Sequence, residues 1–174
     1  MNIFATSGSP SKAAQHLDDK RLLKMTVETA QILSTAARVE LGETGPKVPE
    51  VDTDPTLYRA YCYGGRHSEW ARASQENFLW LMEYGEALVK EKEFRGFSVG
   101  KAAEIIKNAG EYLPLFPDVP GTPFAADKRT SNIMREFNMG VSEAYRFLLC
   151  EEKWPSAKGP LKWTKRGAPK FYLN

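Results

Sequence analysis

The stretch Leu17 to Arg38, LDDKRLLKMTVETAQILSTAAR, most constrains what this chain can fold into. On a wheel advancing about 100° per residue, Leu22, Leu23, Met25, Val27, Ala30, Ile32, Leu33, Ala36 and Ala37 cover well over half the circumference. A helix with so wide an apolar surface must bury most of itself, and that requires other elements around it. Lys20, Arg21, Lys24, Glu28, Gln31 and Thr35 share the narrow remainder. This polar stripe meets either water or a ligand.

The rest of the chain supplies further helices. Ser9-Pro10 reads as N-cap and first helical position, so a short helix through about His16 precedes the long one. Asp18 and Asp19 leave open whether the two are continuous. Gly42 to Thr53, with Gly45, Pro46 and Pro49, reads as a loop. Asp54-Pro55 repeats the cap-plus-proline signal and predicts a short helix through about Tyr63. After the Gly64-Gly65 break, a helix from His67 to Glu93 gathers Trp70, Ala71, Phe78, Leu81, Met82, Gly85, Leu88 and Val89 on one face. His67 and Ser74 fall on that face and Asn77 at its edge, where polar groups need partners. Ser98 is read as capping a helix through Asn108, closed by Gly110. Pro114, Pro117, Pro120 and Pro123 make Glu111 to Asp127 an irregular wrap. A last helix, Ser131 to Glu152, buries Ile133, Phe137, Val141, Tyr145 and Leu148. No segment alternates as a sheet strand would. The expected fold is all-α: one domain over residues 1–174, an orthogonal helical bundle with a proline-rich loop.

Length and charge narrow the partners. At 174 residues and 42% hydrophobic, the chain can bury one real core. Lys153, Lys158, Lys162, Lys165, Arg166 and Lys170 follow Glu152 with no acid among them. With a total charge of +2, this leaves an acidic body ahead of a basic, aromatic tail over residues 153–174. Cys62 and Cys150 form no disulfide framework and have no zinc-ligand spacing, so no metal site is expected and a reducing cytoplasm is the expected location. MNIFATSGSP lacks the features of a signal peptide, and no window is long and apolar enough to span a bilayer. Monomer and homo-oligomer both stay open.

Lys24 and Glu28 are neighbours one turn apart. On a solvated face they form only a weak ion pair. In a cleft, the carboxylate can act as a general base or stabilise a developing cation while the lysine holds phosphate. Arg66 and His67, after two glycines at a helix start, form a candidate anion site. Trp70, Ser74 and Asn77 lie along the same helix; for Trp70 a core role competes with base stacking. In the tail, Trp163 and Tyr172 interleave with Lys162, Lys165, Arg166 and Lys170. Cations track a phosphate backbone and flat side chains stack on bases; alternatively the aromatics pin the tail to the body and the lysines stay in water.

Three stretches carry a resemblance: Leu17-x-Asp19-x-x-Leu22 followed by Glu28, His67-x-x-Trp70 opening a helix, and Trp163-Thr-Lys-Arg-Gly-Ala-Pro-Lys-Phe-Tyr. Together they resemble the phage endonuclease V type of pyrimidine-dimer DNA glycosylase. The resemblance implies an all-helical protein that grips kinked DNA, flips a nucleotide and cleaves a glycosidic bond without metal or cofactor. It further implies that the N-terminal α-amine, here that of Met1, is the nucleophile at the sugar C1′, and it assigns Glu28 the proton transfers; Lys24 is the alternative amine. An α-amine near pKa 8 is neutral at pH 7 far more often than a lysine near 10.4. Val27 and Gln31 stand where that family carries basic residues.

Two functions follow. The first is a DNA glycosylase with associated abasic-site lyase activity, using Glu28 and an amine. The second is a non-catalytic protein that binds and sequesters a nucleotide, or a nucleotide immune signal, in the equivalent cleft. Lys20, Arg21, Gln31 and the tail cations face DNA in the first and a small nucleotide in the second.

Overall fold

The computed structural model describes residues 2–44 and 54–172, and every regular element among these is helical. Helix α1 (Pro10–His16) starts where Ser9 accepts a hydrogen bond from the Lys12 backbone N–H. Leu17 is extended (φ −72°, ψ 137°), and α2 (Asp19–Glu40) starts anew from Asp18. The two are therefore separate helices. Leu22, Met25, Ala30, Ile32, Leu33, Ala36 and Ala37 are buried as expected, but Leu23 and Val27 are 38% and 49% exposed. Thr26, Thr29, Ser34 and Thr35 are buried in their stead. Small hydroxyl residues fit against close neighbours, and Thr26 and Ser34 satisfy themselves on the Leu22 and Ala30 carbonyls.

The short helix expected over Asp54–Tyr63 does not form. The Asp54 carboxylate takes both the backbone N–H and the hydroxyl of Thr56, making a turn. Residues 58–62 then run without helical bonds along α2. Tyr58 and Tyr61 donate their N–H groups to Ser34 and Thr35 hydroxyls, and buried Arg38 donates to the Tyr58 and Asp54 carbonyls. The backbone finds its partners on α2 side chains and needs no helix of its own. Of the loop expected over Gly42–Thr53, residues 45–53 lie outside the described residues.

The long helix expected from His67 divides into α3 (Arg66–Arg72) and α4 (Gln75–Arg95). Ser74, extended at φ −163°, caps α4 through the Asn77 N–H, while the Gln75 N–H turns away to the Pro117 carbonyl. Helix α5 (Gly100–Asn108) starts from Val99, not Ser98, and runs into a 3-10 turn over Ala109–Leu115 that contains Gly110. At Gly85 side chains of α2 and α5 press on the α4 backbone: a Cβ there would lie 2.9 Å from Ile106 Cγ2 and 3.2 Å from Thr29 Cγ2.

The expected last helix also divides. Helix α6 (Lys128–Phe137), capped by Asp127, stops at Asn138 in the left-handed region (φ 51°). Helix α7 (Val141–Leu148) restarts from Gly140 and ends in a π-helical turn, Leu149–Lys153. The tail then folds back, with Trp163 and Tyr172 against Trp154 at ring-centroid distances of 5.5 and 4.9 Å. Among the described residues, no helix is long and apolar enough to cross a membrane.

Candidate active site

The N-terminal segment, residues 2–6, threads into the bundle beside α2. Ile3, Phe4, Ala5 and Thr6 are buried, so apolar packing fixes the path of residue 2. The backbone nitrogen of Asn2 donates to Glu28 Oε2 at 2.7 Å. Lys24 Nζ lies 3.3 Å from the other oxygen of the same carboxylate. The Glu28 side chain is 17% exposed and that of Lys24 68% exposed. The stripe of α2 therefore places a half-buried carboxylate between two nitrogens, one from the chain's first residues and one from a solvated lysine.

The Asn2 side chain is held as tightly as its backbone. Its Nδ2 donates to Asp127 Oδ2 at 2.6 Å, and its Oδ1 accepts from the Ile3 N–H at 2.8 Å and the Tyr145 hydroxyl at 3.3 Å. His67 Nε2 lies 3.4 Å from that hydroxyl. Burial is the largest influence on the His67 ring and lowers its pKa to about 4, so it is neutral near pH 7. Burial likewise raises the Tyr145 phenol above its ordinary range. Both groups are hydrogen-bonding scaffolds rather than charges.

Beside Asn2 opens a pocket of about 410 Å³, lined by Asn2, Phe4, Met25 and the cations Lys20, Arg21, Lys24, Lys153 and Lys158. None of its lining residues is acidic. Arg21 is braced by Asp18 at 2.8 Å and by the Lys153 carbonyl, and Lys20 by the Lys158 carbonyl. These bonds tie α2 to the 153–158 segment and keep the cations together. Such a pocket favours phosphate.

The other expected site residues sit elsewhere. Gln31 donates to the Arg59 carbonyl. Arg66 makes 3.4 Å bonds to the Ala126 carbonyl and Ser131 Oγ, at the edge of a separate pocket shared with Phe124 and Arg135. Trp70 packs on Phe124 and Trp80 and donates to the Thr122 carbonyl, a core role. Asn77 bridges the Trp70 carbonyl and both the N–H and hydroxyl of Thr122. In the tail, Trp163 donates to the His16 carbonyl and Arg166 grips Glu91, whereas Lys162, Lys165 and Lys170 remain exposed. Tyr172 packs on Trp154 and Trp163. Met1 lies outside the described residues. Among the described residues, no group of three His, Cys, Asp or Glu could hold a metal ion.

Asn2, Asp127 and Tyr145 enter the site without having been singled out for it, and Lys153 and Lys158 enter it from the expected basic tail. The one local signal was Asp127 three residues before Thr130, a cap pattern hidden by placing the helix start at Ser131.

Comparison with curated proteins and with solved structures gave no match. The family model described as pyrimidine dimer DNA glycosylase matches residues 1–105, which include the N-terminal segment, Lys24, Glu28 and His67. That match spans more than half of the sequence, and the chain therefore belongs to the pyrimidine dimer DNA glycosylase family.

Proposed function

We propose that this protein is a DNA glycosylase with associated abasic-site lyase activity, and that Glu28 carries its proton transfers. The observation behind this reading is the placement of the Glu28 carboxylate within 2.7 Å of the residue-2 nitrogen and 3.3 Å of Lys24 Nζ. A neutral amine attacks C1′ of the flipped nucleotide; the C1′–base bond breaks and its electron pair leaves with the base. The Glu28 carboxylate takes one proton from the attached nitrogen and passes it to the ring oxygen as the C1′–O bond opens, giving an iminium, while the departed base takes its proton from water. Loss of a C2′ proton to a base then expels the 3′ phosphate, and water releases the amine. The amine is the α-amine of Met1 or the Nζ of Lys24. Lys20, Arg21, Lys153 and Lys158, joined by Lys24 where Met1 supplies the amine, hold the phosphates that flank the reacting sugar.

Borohydride added during reaction with ultraviolet-irradiated or abasic duplex DNA should trap a covalent adduct, and peptide mapping should place it on residue 1 or on Lys24. Glu28→Gln should slow trapping by about a hundredfold or more, the range of a lost general acid or base. No adduct, together with nicking that Glu28→Gln leaves unchanged, overturns the reading. A pocket of about 410 Å³ is also of nucleotide size. An intact nucleotide released on denaturing protein that shows no turnover favours sequestration instead.

A further inference from the structure

Only one orientation of the Asn2 amide satisfies its surroundings. A carboxylate can only accept, so the end facing Asp127 must be the NH₂ group; a backbone N–H can only donate, so the end facing Ile3 must be the oxygen. The Tyr145 hydroxyl, fully buried and backed by His67, adds a second donor to that oxygen. The other carboxylate oxygen of Asp127 accepts from the Thr130 N–H at 2.8 Å and caps α6. A helix start thus fixes the anchor, and the anchor fixes residue 2. Both Asp127 and Tyr145 lie beyond the residues that the family model matches.

We propose that Asp127, with Tyr145 behind the same amide, is a positioning residue that reads asparagine at position 2 and holds the residue-2 nitrogen against Glu28. The role rests on the glycosylase reading, since the nitrogen it holds belongs to the residue bonded to Met1, whose α-amine is one of the two amine sources. It acts through Asn2 and touches no substrate. Displacement of a reacting group by about 1 Å costs on the order of a hundredfold in rate, which makes the 2.6 Å bond a sensitive control point.

Reciprocal substitution tests this. Asp127→Asn keeps an oxygen for the Thr130 cap, because asparagine caps as well as aspartate, but it turns an NH₂ group toward the NH₂ of Asn2. Asn2→Asp sets two carboxylates against each other. The double variant Asn2→Asp/Asp127→Asn restores a donor facing an acceptor. Single-turnover cleavage of an abasic duplex should fall about tenfold or more in each single variant, with DNA affinity within about twofold, and recover to within about threefold in the pair. Melting temperature should stay level for Asp127→Asn, and the Asn2 side-chain amide signal in NMR should leave its hydrogen-bonded position. Either single variant cleaving at the wild-type rate overturns the inference, as does a pair no faster than the singles. Wild-type protein that neither cleaves nor is trapped overturns the glycosylase reading, and the positioning role with it.

Discussion

Arg166 grips Glu91 with two parallel hydrogen bonds, Nε to Oε1 at 2.5 Å and Nη2 to Oε2 at 2.8 Å, and so fastens the tail to α4. Glu91 also accepts from Arg95, a fully buried side chain that reaches on to Asp19 at 2.9 Å. Asp19 in turn receives the N–H and hydroxyl of Thr164. The ring of contacts joins α2, α4 and the tail. Glu91→Ala strips buried Arg95 of one carboxylate and should cost about 3 kcal/mol, whereas Arg166→Ala, which leaves Arg95 paired, should cost about 1 kcal/mol. Urea denaturation of the two variants checks this; equal midpoints would count against it.

Lys153 and Lys158 come from beyond the family match yet line the pocket beside Asn2. If each meets a DNA phosphate, its replacement by alanine lowers the slope of log affinity against log salt by about 0.9. Fluorescence anisotropy with a fixed duplex from low to moderate salt gives the slopes. Slopes that match wild type would take these two lysines out of the DNA contact.

Burial is the first cause of low pKa values in both histidines: His67 at about 4, and His16 at about 4 with further help from Arg146 and Lys12. Unfolding returns each ring to its ordinary value near 6.5, so the unfolded chain binds more protons between those limits. Stability from these sites is complete above about pH 6.5 and falls as pH drops through 4. For His67 the loss is on the order of 3 kcal/mol. Urea midpoints measured from pH 7.5 down to 4.5 should fall, and His67→Gln should flatten part of that fall. A level profile in wild type contradicts the assignment.

Gly85 lets three helices touch, with Ile106 Cγ2 only 2.9 Å from where a Cβ would sit. Gly85→Ala should destabilise by about 1–3 kcal/mol despite the higher helix propensity of alanine, because overpacking outweighs it. A variant that melts above wild type would show that α5 yields instead.

Much of the helical plan was legible from short-range signals. Ser9-Pro10 starts α1, the apolar arc locates α2, and the all-α fold follows from helices in every long apolar segment. Breaks were harder to see. The periodicity through Ser74 and through Asn138 continues on both sides, so only cap geometry, such as the left-handed Asn138, marks the stop. Leu23 and Val27 show that a wheel ranks residues by polarity and cannot know which sides have neighbours. Glu28 was legible because it shares one turn with Lys24. Its other companions were not: Asn2 reaches Asp127 across 125 positions and Tyr145 across 143, distances at which no pattern in the chain connects them.

The anchor on Asn2 also has a consequence in time. A chain emerging residue by residue presents Asn2, Lys24 and Glu28 early. Asp127 and Tyr145, which hydrogen-bond the Asn2 side chain, follow much later in the sequence, as do Lys153 and Lys158, which line the pocket beside it. Until α6 and α7 are made, the chain therefore carries Glu28 and Lys24 without the hydrogen bonds that hold Asn2 and without the full set of pocket cations.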